Sequence, residues 1–313
     1  MLHTARARRG MVTSPHHLAS AAGLRVLREG GNAIEATLAM GATLAVVYPH
    51  MNSLGGDGFW IVARPEQEPM AIDACGGAAA AATPDYYHQR GYKSIPWRGP
   101  HAANTVAGTL SGWAEAKAVS EEWGGILPFA RLLEDAIDAA KNGFPVTLSQ
   151  HELTLQKYEE LKDQPNFAQN FLASGHVPDE GSLMRFPQLA ETLGLIADNG
   201  PLDFYHGDLA QKIAHDLASV GSPICLQDLQ HHHAQRRTPL SVRVTGAQIY
   251  NFPPPTQGLA SLLILAMFDR LRVKHGESFD HIHGLIEATK QAFLVRDKII
   301  GDPASMNESA EAM

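Results

Sequence analysis

Helix-forming stretches dominate this sequence while strand-forming stretches are few and scattered, and no other feature limits its fold as strongly. Ser14 and Pro15 open the first helix, because a Ser side chain caps well and a Pro at the first helical position forfeits no hydrogen bond. Gly30-Gly31 closes it. A second helix over residues 33–47 consists almost entirely of small residues, suits backbone-close packing inside a core, and ends at Tyr48-Pro49. Further helices are expected over 110–120, 128–141, 147–161, 187–199, 208–218, 259–273 and 279–299. On the last, Ile282, Leu285, Ile286, Thr289 and Phe293 keep one stripe at helical spacing. Strands are expected only at 10–13, in a hairpin 59–63/70–74, and over the alternating run 239–250 that Pro253-Pro254-Pro255 terminates. So few strands make a poor sheet alone. They point to a part of a larger fold whose sheets another chain completes.

Composition narrows the partners. The chain has 25 Lys+Arg against 33 Asp+Glu, a formal charge of −8, and lacks the clustered cations that phosphate binding needs. No apolar run approaches the roughly 18 residues of a membrane span; the best stretch, 34–48, carries Glu35. Nucleic-acid and membrane partners are therefore not expected. With no repeat and no shift in composition, residues 1–304 read as one domain, and the polar, small-residue stretch 305–313 as a flexible tail. Two cysteines, Cys75 and Cys225, make neither a disulfide scaffold nor an all-Cys metal site. Arg6, Arg8 and Arg9 have no apolar stretch behind them, so no secretory signal is written here. A cytoplasmic chain is expected, or a periplasmic one if a signal peptide has been removed.

Individual motifs are ambiguous. Gly55-Gly56-Asp57-Gly58 lacks the Lys-Ser/Thr of a phosphate loop and precedes a strand, so no helix N-terminus faces an anion. It reads either as a turn where backbones pass closely or as a pocket wall to which Asn52, Ser53 and Asp57 offer polar groups. Consecutive His231-His232-His233 do not converge on one ion and read as a solvated loop; His281 and His283 point apart on a helix, and His16-His17 reads as surface. No metal and no cofactor is expected. There is no Gly-x-Ser-x-Gly elbow. Cys75, at a strand end beside Gly76-Gly77, reads as a small buried residue or as an exposed nucleophile. Arg98, in the stiff run Pro96-Trp97-Arg98-Gly99-Pro100, reads as a surface Arg or as a carboxylate fork.

As an ordered set, however, the motifs resemble the large (α) subunit of the gamma-glutamyltransferase family of N-terminal nucleophile amidohydrolases. The set comprises Leu27-Arg28-Glu29-Gly30-Gly31-Asn32-Ala33, Pro49-His50 through Leu54-Gly55-Gly56-Asp57-Gly58-Phe59, and Asn104-Thr105-Val106-Ala107-Gly108. It continues with Phe204-Tyr205-His206-Gly207, Arg237-Thr238-Pro239-Leu240, Pro253-Pro254-Pro255 and Gly301-Asp302-Pro303, spanning residues 10–303. The resemblance implies an α/β (α+β) fold, the four-layer αββα sandwich, of which this chain is the helix-rich part. It also implies a proenzyme that cuts itself into α and β chains. The new N-terminal Thr of β would be the nucleophile with its own amine as base, so no catalytic residue is expected here. The β chain is then the partner, with a dimer of such pairs as a further expectation. The family's α chain usually runs further past Gly301-Asp302-Pro303 than Met313.

One departure bears on substrate. Glutamyl-binding members carry, just after the Asp of the second hairpin strand, an Arg that holds the donor's α-carboxylate; in Ile72-Asp73-Ala74-Cys75-Gly76-Gly77, Cys75 takes its place. The Gly-Gly-Asp-Gly-Phe-Trp form and the Arg-Gly-Pro loop resemble the family's divergent amide hydrolases, which include cephalosporin-type acylases and act on carboxylate-bearing amides. The expected substrate is a small amide of this kind, specifically oxamate, with Arg98, Cys75, Asp73, Asn52 and Asp57 as substrate-binding residues and Arg98 as the displaced cation. Gamma-glutamyl transfer or hydrolysis, and a non-catalytic scaffold, are the alternatives.

Overall fold

A computed structural model describes residues 4–306. In chain order the elements begin with α1 (His17–Arg28), α2 (Ala33–Val47), β1 (Gly58–Val62), β2 (Met70–Ala74), α3 (Pro84–His88), α4 (Thr109–Glu122) and α5 (Phe129–Asn142). They continue with β3 (Phe144–Pro145), α6 (Leu148–Leu161), α7 (Phe167–Phe171), β4 (Leu183–Met184), α8 (Pro187–Asn199), α9 (Asp203–His206), α10 (Asp208–Ser219) and α11 (Leu226–His231). The last are β5 (Gln235–Arg237), β6 (Leu240–Val244), β7 (Ala247–Asn251), α12 (Gly258–Arg270) and α13 (Phe279–Ile299). Two compact units result: residues up to Gly58 with Ala74–Gln235, and Phe59–Asp73 with residues from Arg236 on.

The first unit is organised by α2, which packs on α1, α4 and α5, with α8 behind α5. Its small residues explain the close approach: Ala36, Ala39 and Ala42 are buried, and a Cβ on Gly23 of α1 would run into Met40. On α5, Leu132, Leu133, Ala136 and Ala140 form the buried stripe; burying each Leu contributes roughly 1.5–3 kcal/mol. In the second unit, β6 and β7 pair antiparallel from Leu240↔Asn251 to Val244↔Ala247. Leu240 joins Leu259 and Leu262 of α12 in a small core, and α13 lies on α12. The sheets are small: one of order β1-β2-β5, and the pairs β3-β4 and β6-β7.

Several expectations are corrected. Residues 10–13 form no strand. The run 239–250 is two strands, because Gly246 at φ +80° turns the chain back within it. The first helix begins at His17, capped by His16; that residue is 3% exposed and so is not a surface histidine. On α13 the apolar stripe faces outward: Ile282, Leu285, Ile286 and Phe293 are exposed, while Gly284, Ala288 and Ala292 are buried. The small face is preferred inward because Gly284 lets α13 sit directly on Leu271 and Phe268. The expected tail lies, from Asn307 on, outside the described residues.

Candidate active site

Three backbone segments of the first unit meet: the Gly-rich run, the end of β2, and residues 104–109 leading into α4. Gly56 O accepts the N–H groups of Gly108 and Thr109, both at 2.9 Å, and the Thr109 hydroxyl at 2.8 Å. Val106 N–H donates to Gly77 O and Ala79 N–H to Asn104 O, both at 2.9 Å. Glycines make the passage sterically feasible. A Cβ on Gly76 would run into Val106 O, and one on Gly108 into Ala74 O. Of the two readings of the Gly-rich run, the close backbone passage is what these contacts show.

Asp57 fastens the passage. Its Oδ1 accepts the Gly76 N–H at 2.9 Å, and the half-buried Cys75 Sγ lies 3.8 Å from its Oδ2. Behind them stands a layer that the sequence analysis did not single out as functional. Tyr205, fully buried, donates to Ala107 O at 2.7 Å and accepts the Ser111 N–H at 3.0 Å. Burial pushes its phenol up to about 12, so it stays a neutral donor. Ser111 Oγ donates to Gly108 O at 2.7 Å and lies 2.9 Å from His232 Nε2. Since the hydroxyl has one proton and gives it to Gly108, His232 Nε2 is the donor to Ser111. The Tyr205 ring lies 5.4 Å from that imidazole. His232 is therefore half-buried and anchored, which corrects the solvated-loop reading of the His run for this residue.

Asp228 completes the wall. Partial burial acts to raise its carboxyl, but the Ala80 and Cys225 N–H groups, each donating at 2.9 Å, hold it below the usual carboxylate value. Cys75, Gly77, Val106, Asp228 and the three histidines surround a hollow of about 310 Å³. Its chemistry is that of a small polar binding site, whose lining offers a carboxylate, a thiol and imidazoles. Among the described residues no group of three or more His, Cys, Asp and Glu is placed to hold a metal ion.

Of the sequence candidates, Asp57 and Cys75 are brought together. Asn52 is exposed in the loop after α2. Asp73 belongs to the second unit, where its Oδ2 lies 3.8 Å from Arg237 Nε. Arg98 lines a different, larger hollow and pairs with Glu160 at 2.8 Å. The anchoring residues missed earlier carried a faint signal: Tyr205 sits in the Phe-Tyr-His-Gly motif and His232 in the His run, but neither reveals its partner.

Residues 19–313 match the model of the gamma-glutamyltranspeptidase family. The chain is 49% identical over 305 residues to an oxamate amidohydrolase proenzyme of Klebsiella pneumoniae, covering 97% of this chain and 57% of that protein. It superposes on Helicobacter pylori gamma-glutamyltranspeptidase with a TM-score of 0.90 at 28% identity, covering 99% of this chain and 89% of that one. For a cephalosporin acylase from Bacillus halodurans the TM-score is 0.87 at 30% identity, with 99% and 59% covered. The fold is thus the mixed α/β fold of these N-terminal nucleophile hydrolases. The chain spans about half the length of the curated relatives it matches.

Proposed function

The chain belongs to the gamma-glutamyltranspeptidase family, and from that premise we propose that it is the α-subunit part of a self-processing amidohydrolase acting on a small carboxylate-bearing amide, oxamate in particular. The nucleophile in this reading is the N-terminal Thr of a β chain cut from the same precursor, its amine serving as base. The present chain forms one α subunit, both units included, and supplies wall and support to the substrate hollow. The outward apolar stripe of α13 suits burial by that second chain.

The substrate reading rests on the resemblance, by which Cys75, whose Sγ lies 3.8 Å from Asp57 Oδ2, takes the place where glutamyl-binding members carry Arg. A gamma-glutamyl donor would lose a charge-assisted contact there, a loss of about 1.5–3 kcal/mol. A short acyl carboxylate fits the imidazole and backbone donors of a hollow of about 310 Å³. The similarity to the oxamate amidohydrolase proenzyme points the same way. Because Arg98 lines another hollow, Arg98→Ala is expected to leave KM for oxamate unchanged. A rise in KM for the anionic substrate alone would return Arg98 to the substrate.

The test is a release assay on the protein expressed from its full-length gene, comparing oxamate, a glutaryl amide and a gamma-glutamyl anilide. Oxamate should be preferred, and Cys75→Arg should raise activity on the anilide by about tenfold. The likeness to Helicobacter pylori gamma-glutamyltranspeptidase favours gamma-glutamyl hydrolysis as the second reading, and preference for the anilide by the unaltered protein would establish it. Intact mass under denaturing conditions should give two fragments of one precursor. A single uncut chain without activity would leave a non-catalytic scaffold.

A further inference from the structure

The second hollow of the first unit, about 490 Å³, is built differently from the first. One wall is a stripe of α6, where Gln150, Leu153, Lys157 and Leu161 line it at helical spacing. Phe167 and Phe171 of α7, stacked at 5.5 Å between ring centroids, also line it. Its two charged lining residues are both cations, Arg98 and Lys157, which share the single carboxylate of Glu160 at 2.8 and 2.9 Å and so leave one positive charge in excess. Gln150 is 2% exposed. Its amide nitrogen meets Met184 Sδ at 3.1 Å, but its Oε1 has no hydrogen-bond partner among the described residues. His50 Nδ1, in the same lining, is likewise buried and unpartnered.

An orphaned buried acceptor in an apolar hollow with a cationic side is half of a recognition pattern. We propose that this hollow is a second ligand site, for an amphipathic carboxylic acid whose body lies on Phe167 and Phe171. Its carboxylate meets Arg98 and Lys157, and a hydroxyl or N–H at its far end donates to Gln150 Oε1. Gln150 and Lys157 are seven residues apart on one helix, about 10 Å along its axis. A ligand that reaches both positions has a length of that order, as an arylpropionate carrying a ring hydroxyl has. Oxamate, with no apolar body, is too small to span it.

Calorimetric titration of the protein expressed from its full-length gene with 3-(4-hydroxyphenyl)propionate, its des-hydroxy analogue and its primary amide tests this. The hydroxylated acid should bind best. Arg98→Ala and Lys157→Met, both at partly exposed positions, should each weaken the acid about fivefold and leave the amide unchanged. Gln150→Leu should erase the preference for the hydroxyl while retaining the des-hydroxy acid, a pattern that also certifies that the variant is folded. Binding absent below about 10 mM, equal loss for acid and amide, or a hydroxyl preference surviving in Gln150→Leu would each overturn the proposal. None of these outcomes depends on which amide the enzyme cleaves.

Discussion

His16 shows how much a single buried side chain commits this protein to a pH range. Its Nδ1 accepts the Leu18 N–H at 3.2 Å, capping α1, and its ring stacks on His17 at 4.6 Å between centroids. Burial, with His17 and His50 adding to it, lowers its pKa to about 4. The unfolded chain takes up this proton near 6.5, the folded chain only near 4. Between those values the unfolded state binds more protons, so stability is lost as pH falls from about 6.5 toward 4, by up to a few kcal/mol. His16→Asn keeps a cap and removes the titration; its unfolding free energy should vary less over that window, and an unaltered slope would sink the assignment. At the candidate site, Tyr205→Phe leaves Ala107 O and Ser111 N–H without the phenol. It is expected to lower stability by about 1–3 kcal/mol in denaturant titration. Gly76→Ala, whose Cβ meets Val106 O, should cost more than Tyr205→Phe because backbone must move.

Among the elements, α2 is the one whose sequence and environment agree most closely. Asn32 Oδ1 accepts the Ile34 and Glu35 N–H groups at 3.0 Å, while Glu35 Oε2 accepts the Asn32 N–H at 3.0 Å, closing a capping box. Glu35 is also fully buried, its Oε1 accepting the Leu127 N–H at 2.9 Å with Lys117 Nζ at 3.9 Å. Glu35→Leu would orphan two backbone donors and leave the partly buried Lys117 with Glu121 alone of its two carboxylates. Denaturant unfolding should show a loss of about 3 kcal/mol or more, with Glu35→Gln in between. Elements without such signals escaped reading. β5 is short, polar and exposed at every position, so it has no hydrophobic alternation to detect. β6 alternates but β7 does not carry its phase on, and the turn at Thr245-Gly246 makes two strands of one run.

For the molecule as a whole, the exposed apolar face of α13 is a surface that the described residues leave uncovered. Phe279 is 78% exposed and Leu294 66%, with Ile282 and Ile286 beside them. In the proposed enzyme the β chain covers this face. Ile286→Lys with Leu294→Lys should therefore leave the melting temperature of the separately expressed chain nearly unchanged, reduce its binding of a hydrophobic dye, and abolish co-purification with the β chain. Retained co-purification would place the β contact elsewhere. The stripe itself was plain in the sequence, but its direction was not: helical spacing shows that residues share a face, never what that face meets.

Local chemistry made much of this protein legible in advance. The small residues of α2, the Pro and Gly stops and the ordered motifs act within a few residues of themselves and act alike in any context, so helices, hairpin and family could be read directly. Tertiary structure alone decided that His16 is buried, that Gly76 and Gly108 admit each other's neighbouring backbone, that Arg98 and Cys75 line separate hollows, and that His232 holds Ser111 from 121 residues away. Such pairings depend on where distant segments come to rest, and no periodicity within one segment records that.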